Sequence, residues 1–149
     1  MSKHHAIANW EGNLREGKGK YTLHTSGYEG HLKYSTRFED DKTASSPEEL
    51  IGAALASCFS MALANDLDKA GHKPERVETT AEVNLGKVGE GFSITEIVLK
   101  TKAVVSEIET DKFRQIAENT KKNCPVSRAL TGTSIRLEAE LVKSTYAVR

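Results

Sequence analysis

Apolar and polar residues alternate in short runs over the first forty positions. Residues 6–13 form one run, 20–25 alternate through Tyr21 and Leu23, and 31–38 alternate through Leu32, Tyr34, Thr36 and Phe38. Gly17-Lys18-Gly19, Ser26-Gly27 and Glu29-Gly30 punctuate them. A period of two interrupted by turn residues predicts a β-meander.

The period then changes. Ser46 is suited to an N-cap, Pro47 to the first helical position, and Glu49 completes a Ser46-Pro47-Glu48-Glu49 capping box. Gly71 and Pro74 mark the far end, so a helix is predicted over 46–70. Leu50, Ile51, Ala53, Ala54, Leu55, Ala56, Cys58, Phe59, Met61, Ala62, Leu63 and Ala64 cover every side of it. A helix apolar all round is expected to be buried on all sides. Its small residues, from Gly52 to Ser57, permit close approach of another element.

Strict alternation returns at Val77, Thr79, Ala81, Val83 and Leu85. After the glycines 86, 89 and 91, Phe92, Ile94, Ile97, Leu99 and Val104 continue it. The rhythm slips near Glu96, where a bulge is expected. A helix with the stripe Phe113, Ile116, Ala117 should run from Ser106 or Thr110 to Lys122. Cys124-Pro125 opens a short helical turn to about Leu130. A strand over 134–142 carries Ile135, Leu137, Ala139 and Leu141 on one face, and residues 143–149 read as a tail. The order β-β-β-α-β-β-α-α-β predicts an α+β fold rather than a doubly wound sheet.

The chain's 149 residues fit one domain, 1–149. Lys+Arg and Asp+Glu both number 21, and the longest run of like charge is Glu39-Asp40-Asp41. This balance argues against nucleic acid as a partner. No run reaches the ~18 apolar residues of a membrane span. The beginning lacks the apolar segment of a signal peptide, so a cytoplasmic protein is expected. The apolar share is only 38%, which suggests that the apolar helix shares core with a second chain.

Two cysteines are the candidate chemistry. Cys58 is mid-helix among apolar neighbours, where a thiol is more often inert packing, and the helix dipole does not reach it. Cys124 sits at the start of a short helix beside Lys121, Lys122 and Arg128, a setting that lowers a thiol pKa. On this physics Cys124 is the better thiolate, and Cys58 would need a cation from elsewhere. Sixty-six residues separate them, which excludes a C-x-x-C motif and a cysteine-rich zinc site. His4, His5, His24, His31 and His72 have no metal-ligand spacing. Phosphate-binding glycine loops and a nucleophile elbow are absent.

Two segments carry a resemblance. They are Ser46-Pro47-Glu48-Glu49-Leu50-Ile51-Gly52-Ala53-Ala54-Leu55-Ala56-Ser57-Cys58-Phe59-Ser60-Met61-Ala62 and Asn123-Cys124-Pro125-Val126-Ser127-Arg128-Ala129-Leu130. Together, in this order, they resemble the OsmC/Ohr family of thiol-dependent hydroperoxide reductases. The second segment and Tyr34-Ser35-Thr36-Arg37-Phe38 are more similar to the OsmC branch. The resemblance implies antiparallel sheets around a long buried helix in an intertwined homodimer. It implies Cys58 as the sulfur that attacks peroxide and Cys124 as the sulfur that resolves the sulfenic acid to a disulfide. An external thiol or dithiol would be the reductant. Arg37 then matches the arginine that stabilises the thiolate, and Glu48 the glutamate that holds it. No metal or organic cofactor is implied.

Glu48 precedes Cys58 by ten residues, or ~15 Å along a straight helix. It is therefore expected to serve the site of a second copy, giving a homodimer with composite sites. Phe38, Leu55, Phe59 and Met61 are expected to line an apolar pocket that favours organic hydroperoxides over hydrogen peroxide. Two other readings stand beside this one. The first is a module that binds a small hydrophobic ligand, with passive cysteines. The second is a protein thiol–disulfide oxidoreductase, which the burial expected of Cys58 disfavours.

Overall fold

The computed structural model describes residues 1–143, so the tail from Ser144 onward lies outside the described residues. It contains two compact units, Met1–Leu50 and Ile51–Arg149.

In the first unit, β1 (Ala6–Glu11), β2 (Lys18–Leu23) and β3 (Tyr28–Lys33) form an antiparallel sheet in that order. Two glycines make room for rings across the strands. A Cβ on Gly19 would come within 2.7 Å of the Trp10 ring, and one on Gly30 within 2.4 Å of Tyr21. The sequence predicts strand through Phe38, but β3 ends at Lys33 and Tyr34–Phe38 is a short helix, α1. Tyr34 and Phe38 satisfy a period of two and also lie four apart, where a helix turn stacks them with centroids 4.8 Å apart. The Thr36 hydroxyl strengthens the turn by donating to the Lys33 carbonyl at 2.8 Å.

The loop after α1 is tied by Asp41, whose carboxylate accepts from the Ser35 hydroxyl (2.6 Å), the Thr43 hydroxyl (2.7 Å) and the Thr43 N–H (2.8 Å). The Ser35 donor first, then those of Thr43, hold its pKa down at about 2.

Helix α2 (Pro47–Lys69) begins as its sequence dictates, with the Glu49 N–H donating to Ser46 Oγ at 3.1 Å. It ends in a Schellman motif. Gly71, at φ 84°, donates to the Asp68 carbonyl, and His72 donates to that of Leu67, each at 2.9 Å.

The second unit holds the rest of α2 and a three-stranded sheet ordered β4 (Pro74–Val88), β5 (Gly91–Val105), β6 (Ser134–Val142). The expected bulge is present. Asn84 pairs with Glu96 and Leu85 with Ile94, leaving Thr95 as the extra residue. The expectation of wholly antiparallel sheets is corrected, because β6 runs parallel to β5. Helices α3 (Thr110–Asn123) and α4 (Pro125–Ala129) make the long crossover that a parallel neighbour requires.

Burial of α2 also differs from expectation. Leu55, Phe59, Leu63 and Leu67, spaced by four, are fully buried in one cluster with Ile97, Leu99, Ala103, Phe113, Ala117 and Cys124. Ala53, Ala54, Ser57 and Met61 are exposed, Met61 by 75%. One sheet covers one stripe of a helix, so apolar residues elsewhere on its circumference stay uncovered in a single chain. An 18-residue window of α2 has a mean hydropathy of 1.5, long and apolar enough to cross a bilayer, contrary to the reading that no such stretch exists. Here Leu55, Phe59, Leu63 and Leu67 of that helix fill a protein core.

Two outcomes are expected from this packing. Leu63→Ala should lower the unfolding free energy by about 2–5 kcal/mol, read as a reduced urea midpoint at unchanged slope. The Asp41 ties should be fully present above pH ~4, the ordinary aspartate range, and be released as the pH falls through about 2. Carboxyl NMR titration of that residue would read this directly, and a midpoint near 4 would contradict it.

Candidate active site

The two cysteines, distant in sequence, meet in space. Cys58 Sγ on α2 lies 3.1 Å from Cys124 Sγ, and both are free thiols. Cys58 is half-buried and Cys124 is buried. Their setting reflects chain order. Cys124 closes α3, its N–H donating to the Thr120 carbonyl at 2.8 Å, and it opens α4, its carbonyl accepting the Arg128 N–H at 3.0 Å. Pro125 fits the first position of α4 because it has no N–H to satisfy. Forming a disulfide of ~2.05 Å would require the sulfurs to close by only about 1 Å.

The two thiols titrate as a pair. Burial pushes the Cys58 thiol up, and the neighbouring Cys124 adds to this against the Val126 N–H. Burial pushes Cys124 up as well. The Ser127 N–H, the Cys58 thiol, the Ser127 hydroxyl and the Val126 N–H together outweigh it and bring Cys124 below the ordinary thiol value. The donors around Cys124 therefore favour its charged form, in the direction that the local sequence physics expects. Sequence reasoning does not single out Ser127 as a site residue. Its signal is its position three residues after Cys124, where a side chain faces the helix-capping atom. Its hydroxyl is buried and meets no hydrogen-bond partner among the described residues.

Arg37 and Glu48 also meet, within the first unit. Arg37 Nη2 lies 2.8 Å from Glu48 Oε1, and Nε donates to the same oxygen at 2.9 Å. The Glu48 side chain is nearly buried, and that of Arg37 is 38% exposed. The turn of α1 places Arg37 in its last turn, with the guanidinium carbon 5.3 Å from the centre of the Phe38 ring. Both contacts use Oε1, which leaves Glu48 Oε2 buried and, among the described residues, unpaired.

The expected pocket residues separate. Leu55 and Phe59 belong to the closed core that contains Cys124, so within this chain they offer no surface to a substrate. The helical period explains it, since they occupy the buried row, whereas Met61 lies on the open face. Among the described residues, no group of three His, Cys, Asp or Glu side chains is placed to hold a metal ion.

Comparison with known proteins agrees with these features. Residues 39–140 match the family model of the OsmC-like proteins. Peroxiredoxin OsmC of Escherichia coli (strain K12) is 46% identical over 125 residues, covering 83% of this chain and 86% of that protein. An OsmC-like protein of unknown function from Vibrio cholerae superposes with a TM-score of 0.74 at 22% identity, covering 93% of this chain and 99% of the other. The organic hydroperoxide resistance protein OhrB of Bacillus subtilis gives 0.69 at 21% identity, covering 91% and 98%. At those identities the two structures speak for the α+β fold, while the family match and the 46% relative speak for descent. The chain belongs to the OsmC family, in its OsmC branch.

Proposed function

We propose that this thiol-dependent peroxidase reduces organic hydroperoxides to alcohols, and hydrogen peroxide more weakly, through Cys58 and Cys124. The observation that carries the reading is the 3.1 Å separation of two free thiols from distant parts of the chain. The Cys58 thiolate attacks the outer peroxide oxygen. The O–O bond breaks, the alkoxide takes a proton and leaves as alcohol, and Cys58 becomes a sulfenic acid. The Cys124 thiolate then attacks Cys58 Sγ, hydroxide leaves as water after protonation, and a disulfide forms. An external dithiol reduces it by exchange and is itself oxidised to a disulfide. The cytoplasm supplies such reductants, and the task is defence against oxidative or osmotic stress.

The attacking sulfur needs a cation, because burial and Cys124 both disfavour its charge. Arg37 supplies it, oriented by Glu48. Ten helical residues, ~15 Å, separate Glu48 from Cys58 on α2, so the Arg37–Glu48 pair of one chain serves the cysteines of a second copy. The uncovered stripe of Ala53, Ala54, Ser57 and Met61 supports such a homodimer, since its small residues admit close approach. Phe38 and Met61 then line the peroxide's apolar group, with the partner closing the pocket.

Cumene hydroperoxide should be consumed catalytically with a dithiol, faster than hydrogen peroxide. Cys58→Ser should abolish consumption, and Cys124→Ser should permit sulfenic acid formation without a disulfide. Absence of turnover in the unmodified protein would favour a hydrophobic-ligand module. Glu48→Ala should cost roughly 10²-fold in kcat/KM by loosening Arg37. An equimolar, randomly reassembled mixture of Glu48→Ala and Cys58→Ser chains should regain about a quarter of full activity if sites are shared across a two-fold axis, roughly half of its dimers being mixed with one intact site of two. Arg37→Ala should raise the pH at which Cys58 reacts with iodoacetamide, because the charged form loses its partner.

A further inference from the structure

We infer that the hydrogen bond between Thr120 and Asp66 is the strut that fixes Cys124 against Cys58, making both residues positioning residues for disulfide formation. For turnover this rests on the peroxidase reading. For the dithiol–disulfide equilibrium it does not.

Thr120 continues the buried stripe of α3 after Phe113 and Ala117, a place where an apolar residue would ordinarily serve. It is fully buried, and its hydroxyl donates to Asp66 Oδ2 on α2 at 2.7 Å. That length is typical of a hydroxyl bonded to a carboxylate. The Ile116 carbonyl lies farther away, at 3.0 Å, and competes for the same single proton. The carbonyl of Thr120 accepts the Cys124 N–H at 2.8 Å. A side-chain bond and a backbone bond thus connect Asp66, on the helix of Cys58, to Cys124.

Packing of Phe113 and Ala117 holds α3 near α2 but is not directional. A hydrogen bond is directional, and it fixes where along α2 the end of α3 stops. The sulfurs need to close by about 1 Å, and a misplacement of that size is costly in an intramolecular reaction. Removing the strut should therefore act on the joining of sulfurs and leave the first attack on peroxide unchanged.

The test equilibrates the full-length protein with mixtures of reduced and oxidised dithiothreitol and counts free thiols by alkylation. Thr120→Val should move the Cys58–Cys124 equilibrium toward the dithiol by about tenfold, or ~30 mV. Thr120→Ser, which keeps the hydroxyl, should stay within roughly twofold of the original. Asp66→Asn, with a neutral acceptor, should shift in the same direction by less. In stopped flow with cumene hydroperoxide, Thr120→Val should form sulfenic acid at the original rate and resolve it more slowly. A Thr120→Val equilibrium within roughly twofold of the original would overturn the inference. If that variant does not fold, an unshifted Asp66→Asn equilibrium would overturn it equally. Failure of the original protein to consume peroxide would count against the peroxidase reading alone, because the dithiothreitol equilibrium still decides whether the strut acts.

Discussion

The site depends on the buried row of α2. Leu55, Phe59, Leu63 and Leu67 recur every fourth residue and lock the helix onto β5 and α3 through one shared cluster. That row fixes rotation about the helix axis. Rotation in turn decides that Cys58 is half-buried beside Cys124 instead of facing water. The same constraint exposes Ala53, Ala54 and Met61, because a single sheet covers a single stripe. The close thiol pair and the uncovered face are two results of one helix orientation.

Cys58 and Cys124 are unlike in what surrounds them. Cys124 stands where α3 ends and α4 begins, with backbone donors at its sulfur and almost no solvent. Cys58 has a helix wall around it and little to support a negative charge. Such asymmetry is what the proposed two-step reaction asks of an attacking and a resolving sulfur. Arg37 and Glu48, the pair proposed above to supply the activating charge, are joined at the start of α2 by an ion pair and a hydrogen bond to one carboxylate oxygen.

Much of this is readable in the sequence where short-range chemistry decides. The Ser46 cap, the Gly71 stop, the bulge beside Glu96 and the strand at 134–142 all arise from local residue types. The cysteine pairing enters through resemblance, since no spacing rule connects residues so far apart. Four features are not readable. Tyr34 and Phe38 fit two periods at once, and the alternation alone does not choose between them. The direction of β6 depends on where α3 and α4 deliver the chain. An apolar residue such as Leu55 does not reveal whether it faces a core or a cleft. Thr120 is hidden for a related reason, since its partner, Asp66, lies on another helix.

The parallel pairing of β6 carries a consequence for biogenesis. The β4–β5 hairpin uses neighbouring segments and pairs without any residue beyond Val105. Strand β6 must wait for the whole crossover, which also delivers Cys124. One edge of β5 therefore stays open until residues 134–142 dock on it. Cys124 lies within that crossover, so the second sulfur and the closing strand are carried by one continuous stretch of chain.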